Sequence, residues 1–373
     1  MEAAVDDRRR DSYGFDLPDE RIARQPPEER GGKRSDARLL TVHRDRVEHG
    51  RFDDLPRHLR AGDAFVVNNA RVVPSVLRGA TSDGDEVAVQ LFSPMEDGSW
   101  HCMVAPERVC RRGARLTFGA GALTGELRHE EDEHVWRLAL EPPGAAGLEG
   151  LAEYLYPYYI ETPPADPASY QTVYASRPGS TGLPSAGRHL TRELLDELGA
   201  LGVKVVEVTL YIAVRGTYRG FCKRVWEIAR PFPGAVPPHP WPAPDGPPQP
   251  ERYEVTLAAA DAINETRRGG GRIVVCGTSA LRALETVADA GGRVYPGSGW
   301  TSILIAPGHR FRVADAFLTN LHMPMSSELL LTAAFVGSRE RTLEIYRDEV
   351  LPRDYAFYEF GDSMLIAGQA PVS

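Results

Sequence analysis

The segment Ile273-Val-Val-Cys-Gly-Thr-Ser-Ala-Leu-Arg-Ala-Leu-Glu285 carries the clearest chemical signal in this 373-residue chain. An apolar run turns through Gly277 into a helical pattern that begins at Thr278 and Ser279. The free amides at such a helix start attract a carboxylate or phosphate. Arg282 and Glu285 stand three apart and share a face, either as a surface ion pair or as a clamp on polar substrate groups. Polar residues crowd beside glycine and proline in three further segments. These are Pro184-Ser-Ala-Gly-Arg-His-Leu-Thr191, Gly297-Ser-Gly-Trp-Thr301 and Leu318-Thr-Asn-Leu-His-Met-Pro324. Such junctions between regular elements are where binding residues tend to be carried. His189 and His322 fit either proton transfer or structural hydrogen bonding.

Other chemistries lack their residues. The chain has no GxxxxGK[ST] loop, no HExxH and no GxSxG, and the Gly119, Gly121 and Gly125 spacing does not match a dinucleotide fingerprint. Cys102, Cys110, Cys222 and Cys276 form no CxxC pair, so they read as reduced thiols rather than zinc ligands. The His129–His134 stretch reads as a solvated acidic turn, and no metal site is expected.

The elements that must position these residues change character along the chain. Residues 1–12 read as a mobile charged tail. Asp63-Ala-Phe-Val-Val-Asn-Asn69 reads as a buried strand ending in a polar loop. Strand-like runs follow at Glu86–Phe92, Trp100–Val104, Ala114–Phe118 and Val135–Leu140, with no helical pattern between them. That pattern predicts a small β-barrel or sandwich. After residue 150, strands alternate with helices, as in an α/β layer. Thr191 is placed to cap a helix bearing Leu194, Leu195, Leu198 and Leu201, with Gly202 as its stop. A strand is predicted from Val203 to Val214, with Glu207, Thr209 and Tyr211 on its polar face. Ten prolines between Pro231 and Pro250 exclude a helix or central strand and predict a loop over 230–252. A helix from about Leu257 to Arg268, a strand at Arg272–Cys276 and a helix at Ala280–Ala290 complete the reading.

The formal charge of −9 argues against non-specific DNA binding, yet leaves room for a local basic surface that reads RNA. Arg108, Arg111, Arg112 and Arg115 could form such a cluster or simply a solvated face. The charged N-terminal region lacks the apolar core of a secretory signal, and no run is long enough to span a membrane. A cytoplasmic protein is expected. Oligomeric state leaves no signal.

Taken together and in order, the segments resemble the QueA family of S-adenosylmethionine:tRNA ribosyltransferase-isomerases. The resemblance covers Phe15 to Ile366. It opens with Phe15-Asp-Leu-Pro-Asp-Glu-Arg-Ile-Ala23 and continues through Asn68-Asn-Ala-Arg-Val-Val-Pro74, Tyr170-Gln-Thr-Val-Tyr174 and the 184–191 segment. Gly277–Glu285, Ser298-Gly-Trp-Thr301, Pro307-Gly-His-Arg-Phe-Arg312, Thr319-Asn-Leu-His-Met-Pro324 and Tyr358-Glu-Phe-Gly-Asp-Ser-Met-Leu-Ile366 complete it.

The resemblance implies a three-layer α/β domain, 1–71 with 153–373, carrying an inserted antiparallel β-barrel over 72–152. It implies transfer and isomerisation of the ribosyl group of S-adenosylmethionine onto the aminomethyl group of a 7-deazaguanine in tRNA. Adenine and methionine leave. No cofactor beyond that co-substrate, no DNA and no membrane partner are implied. Chemically, the sulfonium acidifies the ribose 5′ carbon, so the site needs a base there and donors for the charge that develops as adenine departs. His189, Arg282, Glu285 and His322 are the expected catalytic group. Asn69, Arg71, Ser185, Gly187, Thr191, Thr209, Tyr211, Gly277, Thr278, Ser279, Trp300, Thr301 and Asn320 are expected to bind substrate. His189, Arg282 and Trp300 in particular should face one cavity.

Departures cluster around the expected pocket. Tyr211 stands where the family carries histidine, in Thr209-Leu-Tyr-Ile-Ala-Val-Arg-Gly-Thr-Tyr218, and tyrosine does not titrate near neutrality unperturbed. The proline-rich stretch replaces a Glu-His-x-Met-His-x-Glu segment, and Arg188 and Leu190 replace Leu and Phe. Two alternatives therefore stand beside tRNA modification: a relative acting on a small-molecule acceptor, and a binding protein without catalysis.

Overall fold

The computed structural model describes residues 7–157, 159–160, 162–214 and 249–368. A nine-stranded sheet forms the larger layer. Its strands run in the order Gly297–Thr301, Glu251–Val255, Lys204–Leu210, Ala64–Asn68, Ile273–Cys276, Ala316–Asn320, Ser363–Ile366, Arg38–Val42 and Val47–Arg51. The four central strands from Lys204–Leu210 to Ala316–Asn320 are parallel, and antiparallel strands flank them. Their carboxyl ends therefore open on one side, where α/β sheets bind ligands.

Side-chain alternation in the Ala64–Asn68 strand explains why this sheet is a middle layer. Phe65 and Val67 pack on one face with Leu194 and Leu198 of the Arg192–Ala200 helix. Ala64 and Val66 pack on the other with the Leu257–Arg268, Thr278–Val287 and Ser327–Val336 helices. A strand covered on both faces needs a continuous apolar run, and all five of its residues are buried.

The second unit is a closed six-stranded antiparallel barrel. Its strands Val76–Thr81, Glu86–Pro94, Trp100–Ala105, Val135–Glu141, Leu123–Asp132 and Arg115–Phe118 follow one another, and the last pairs back onto the first. Leu77, Val89, Leu91, Val104, Leu116, Leu127 and Leu138 fill its interior. The short Ala152–Glu153 strand returns the chain by pairing with Leu77 and Val76. An α/β layer with an inserted antiparallel barrel is thus the architecture.

Several local expectations are corrected. Residues 7–12 are not a free tail: the Tyr13 hydroxyl donates to the Asp7 carbonyl at 2.8 Å, and Tyr13 is buried. The His129–His134 stretch is not simply a turn, since the Leu123–Asp132 strand runs through His129. The strand predicted to Val214 ends at Leu210, because Ser180 and Thr181 take over the backbone of Ile212 and Val214 by side-chain hydrogen bonds of 3.0 and 2.9 Å. Leu201 lies beyond the helix end and is 40% exposed rather than packed. Glu251 and Arg252, placed in the proline loop, begin a strand. The rest of that loop up to Pro248, with His239 and Arg215–Tyr218, lies outside the described residues.

Candidate active site

A cavity of about 440 Å³ opens at the carboxyl ends of the parallel strands. One wall is the start of the Thr278–Val287 helix. Gly277 precedes it with φ of 93°, a left-handed conformation only glycine adopts readily, and so turns the chain from strand to helix. Gly277, Thr278, Ser279 and, one turn on, Arg282 line the cavity. Asn68, at the end of the neighbouring strand, fixes this corner. Its Nδ2 donates to Ser279 Oγ and to the Leu210 carbonyl, both at 2.9 Å. Ser185, Asn320 and His322 also line it, together with Leu155, Pro157 and Tyr159 of the segment returning from the barrel and with Tyr358 and Glu359; Tyr159 stacks on Tyr358.

The polar groups in this cavity are only partly satisfied internally. Arg282 Nε donates to the Ile303 carbonyl at 3.2 Å and its Nη1 pairs with Glu251. Glu251 in turn accepts from the Ala213 amide at 2.9 Å. Arg282 Nη2 and Asn320 Nδ2 are shielded from solvent and have no hydrogen-bond partner among the described residues. Buried donors without acceptors are costly, and two in one cavity are open to a ligand oxygen. His322 is half-buried; its Nε2 lies 2.7 Å from Thr319 Oγ1 and its amide donates to the Tyr346 hydroxyl at 3.0 Å. Burial pushes its pKa down to about 4, while Glu328 pulls the other way, so the ring is neutral near pH 7. Glu359 moves oppositely: burial pushes its pKa up to about 8 against the nearby Tyr170 and Tyr159 hydroxyls.

The comparisons with known proteins agree. The family profile described as queuosine biosynthesis protein matches residues 10–225 and 243–366. The S-adenosylmethionine:tRNA ribosyltransferase-isomerase of Moorella thermoacetica is 40% identical over 362 residues, covering 95% of this chain and 99% of that one. The protein of the same name from Gloeobacter violaceus is 37% identical, covering 98% of each. A crystal structure of S-adenosylmethionine tRNA ribosyltransferase from Thermotoga maritima is 27% identical and superposes with a TM-score of 0.50, covering 95% and 99%. The chain belongs to the queuosine biosynthesis protein family.

Within this family framework the expected site residues divide. Ser185, Gly277, Thr278, Ser279, Arg282, Asn320 and His322 line the one cavity. His189 does not. It is fully buried, with Nδ1 at 2.8 Å from the Arg34 carbonyl and Nε2 at 2.7 Å from the Gly361 carbonyl, so both ring nitrogens are occupied. Glu285 is also fully buried and turned away. It accepts from the Arg312 and Val313 amides at 3.0 and 3.1 Å and lies 3.2 Å from His309 Nε2. It pins the 309–313 loop rather than clamping a substrate. Burial would raise its pKa, but His309 and the two amides outweigh it and hold it below the ordinary value.

The remaining expectations are likewise structural or peripheral. Asn69 is saturated by Ser176, Glu207 and Thr209 at 3.1, 2.8 and 2.7 Å. A side chain at Gly187 would meet the Tyr174 hydroxyl at 1.7 Å, so that glycine permits close packing. Thr191 caps its helix through the Leu194 amide at 3.2 Å. Thr301 faces Thr286 at 2.7 Å. Tyr211 is buried beside Arg252, whose guanidinium lies 5.9 Å from its ring. Arg71 is exposed and lines no part of the cavity. Trp300 is 39% exposed and rests on His101 of the barrel, ring centroids 5.8 Å apart. Of His189, Arg282 and Trp300, therefore, only Arg282 reaches the cavity.

Sequence reasoning missed Glu251, Tyr159, Tyr358 and Glu359. The Tyr358–Ile366 motif marked the last two as part of a family segment, but nothing in its spacing assigned them to a pocket. Among the described residues no group of three His, Cys, Asp or Glu side chains is arranged to hold a metal, and no helix is long and apolar enough to cross a membrane.

Proposed function

We propose that this chain transfers and isomerises the ribosyl group of S-adenosylmethionine onto a 7-aminomethyl-7-deazaguanine in tRNA, and that the 440 Å³ cavity is where S-adenosylmethionine binds. The relatives' shared name supports the reaction class. The observation that carries the site is the convergence of the open helix start at Thr278–Ser279 with the unpartnered Arg282 Nη2 and Asn320 Nδ2. This end of the cavity suits the methionine carboxylate. The cavity wall also holds the stacked Tyr159 and Tyr358 rings, centroids 4.3 Å apart, beside which a purine would lie. His322, held neutral and open to the cavity, is the imidazole placed to accept the acidified 5′ proton. No further cofactor enters this reading.

The acceptor arrives on RNA, which suits a protein working in the cytoplasm. Arg108 and Arg111 on the barrel are already paired with Asp85 and Asp83 at 3.0 and 3.1 Å. Arg112 and Arg115 are exposed and have no ion-pair partner among the described residues, so they are the cations offered to phosphate.

The test follows adenine and methionine release from S-adenosylmethionine, with and without tRNA carrying the deazaguanine precursor. Release that requires that tRNA supports the reading. Release with a small acceptor alone overturns the tRNA assignment. Arg282→Lys keeps a cation beside Glu251 but loses the planar fork. It should weaken S-adenosylmethionine binding about tenfold, and unchanged affinity would remove the site assignment.

A further inference from the structure

Glu359 lies in the cavity wall, and its Oε2 is shielded from solvent without a hydrogen-bond partner among the described residues. The Tyr170 hydroxyl is also buried and lacks a hydrogen bond of normal geometry. The backbone just before is held in an uncommon state: Tyr358 has φ of 75°. That conformation costs a non-glycine residue energy and persists only where its surroundings impose it. Here the Tyr358 amide donates to the Leu321 carbonyl at 3.1 Å and its own carbonyl accepts from Gly361 at 3.1 Å. The turn brings Tyr358 and Glu359 together at the aromatic part of the cavity wall, where Tyr159 stacks on Tyr358.

We propose that Glu359 is a catalytic residue that gives its proton to adenine as the ribose–adenine bond breaks. The inference rests on the cavity being the S-adenosylmethionine site. The bond from ribose C1′ to adenine N9 breaks with its electron pair going to the base, the ribose ring oxygen shares a lone pair with C1′ to form an oxocarbenium, a ring nitrogen of adenine takes the proton from Glu359, and the carboxylate left behind regains a proton from solvent after adenine departs. Adenine leaves far more readily as a neutral molecule than as an anion, so an acid placed there lowers the barrier. The environment matches the task. Burial keeps Glu359 protonated near neutral pH while it strips the proton from His322. Two titratable groups driven apart in this way can serve as acid and base in one pocket. Tyr159 and Tyr170 are the titratable groups facing Glu359 from the packed elements, and Tyr358, Arg282, Glu251, His322 and Glu328 line the same cavity.

The experiment measures S-adenosylmethionine affinity by calorimetry and adenine release across pH with the substrate tRNA, for wild type, Glu359→Gln and Arg282→Lys. Glu359→Gln keeps the shape but cannot give up a proton. It should bind within about twofold of wild type yet release adenine about a hundredfold more slowly. The fall in wild-type rate above about pH 8 should also vanish. If Glu359→Gln fails to fold, Glu359→Ala takes its place, with rate restored by formate in proportion to its acid form. Wild-type turnover in the variant, a retained alkaline fall, or no formate rescue overturns the proposal while leaving the binding site standing. Wild-type affinity in Arg282→Lys overturns the site and this proposal together.

Discussion

Ser185 Oγ donates to Asn320 Oδ1 at 2.9 Å, joining a turn to a strand end 135 residues away in sequence. The bond fixes the amide plane, so Asn320 Nδ2 is turned to the cavity with no acceptor of its own. A single pairing thus converts a core asparagine, 3% exposed, into an oriented donor. Asn320→Ala removes the donor, and S-adenosylmethionine should then bind about tenfold more weakly by calorimetry. Ser185→Ala frees the amide to rotate and should produce a smaller loss in the same direction. Equal affinity in both variants would show that Asn320 does not face the ligand.

His189→Ala should act on stability rather than turnover. The substitution opens a cavity and strands the one carbonyl, of Arg34 or of Gly361, that receives the neutral ring's single N–H, at a cost of about 2–4 kcal/mol. Burial, helped by Arg188, pushes the His189 pKa down from 6.5 to about 4, against the pull of the two carbonyls and Asp362. The unfolded chain therefore takes up this proton first as pH falls. The stabilisation is complete above about pH 6.5 and is lost between there and pH 4, amounting to about 3 kcal/mol at most. Urea unfolding at pH 7 and pH 5 should show that loss in wild type and a shallower one in His189→Gln. Loss of turnover in a variant of native stability would return His189 to the chemistry.

Glu285→Ala should likewise cost about 3–5 kcal/mol, because the buried carboxylate holds the Arg312 and Val313 amides and faces His309. Its lowered pKa means that this contribution is present above the ordinary carboxylate range and fades as pH falls through the folded value. The folded fraction should still bind S-adenosylmethionine within about twofold. A selective loss of affinity at full stability would be the contrary result.

The layers were legible because burial writes itself into periodicity. Ala64–Asn68 is apolar throughout because both of its faces are covered. Two barrel strands escaped notice for the opposite reason. Val76–Thr81 ends in Arg78-Gly-Ala-Thr81, and Leu123–Asp132 is exposed and charged over half its length. The cavity was legible at Gly277–Ser279, Arg282, Asn320 and His322, where a glycine turn or a strand end announces itself. His189 and Glu285 misled because a polar residue in a loop motif can be turned inward by partners far along the chain. Those partners are Gly361 for the one and Arg312 for the other. Glu359 was silent for a related reason: the hydroxyls beside it belong to Tyr159 and Tyr170, about two hundred residues earlier.

The barrel arginines separate by their partners, and tRNA affinity should separate with them. Arg112 and Arg115 are exposed without ion pairs among the described residues, and Arg112 also lines a cleft of about 620 Å³ on the barrel with Arg128 and Arg137. Arg108 and Arg111 already face Asp85 and Asp83. A free arginine that meets a phosphate releases counterions without first breaking a protein ion pair. Arg112→Glu and Arg115→Glu should each weaken tRNA binding at low salt and flatten the dependence of log affinity on log salt by about 0.7–0.9 for each phosphate left unneutralised. Arg108→Glu and Arg111→Glu should change that slope less, since each cation is partly neutralised before RNA arrives. S-adenosylmethionine affinity should stay the same in all four variants, because none of these side chains lines its cavity. A filter-binding series from low to moderate salt measures the slopes. Identical slopes across wild type and all four variants would place the RNA-binding surface away from this face of the barrel.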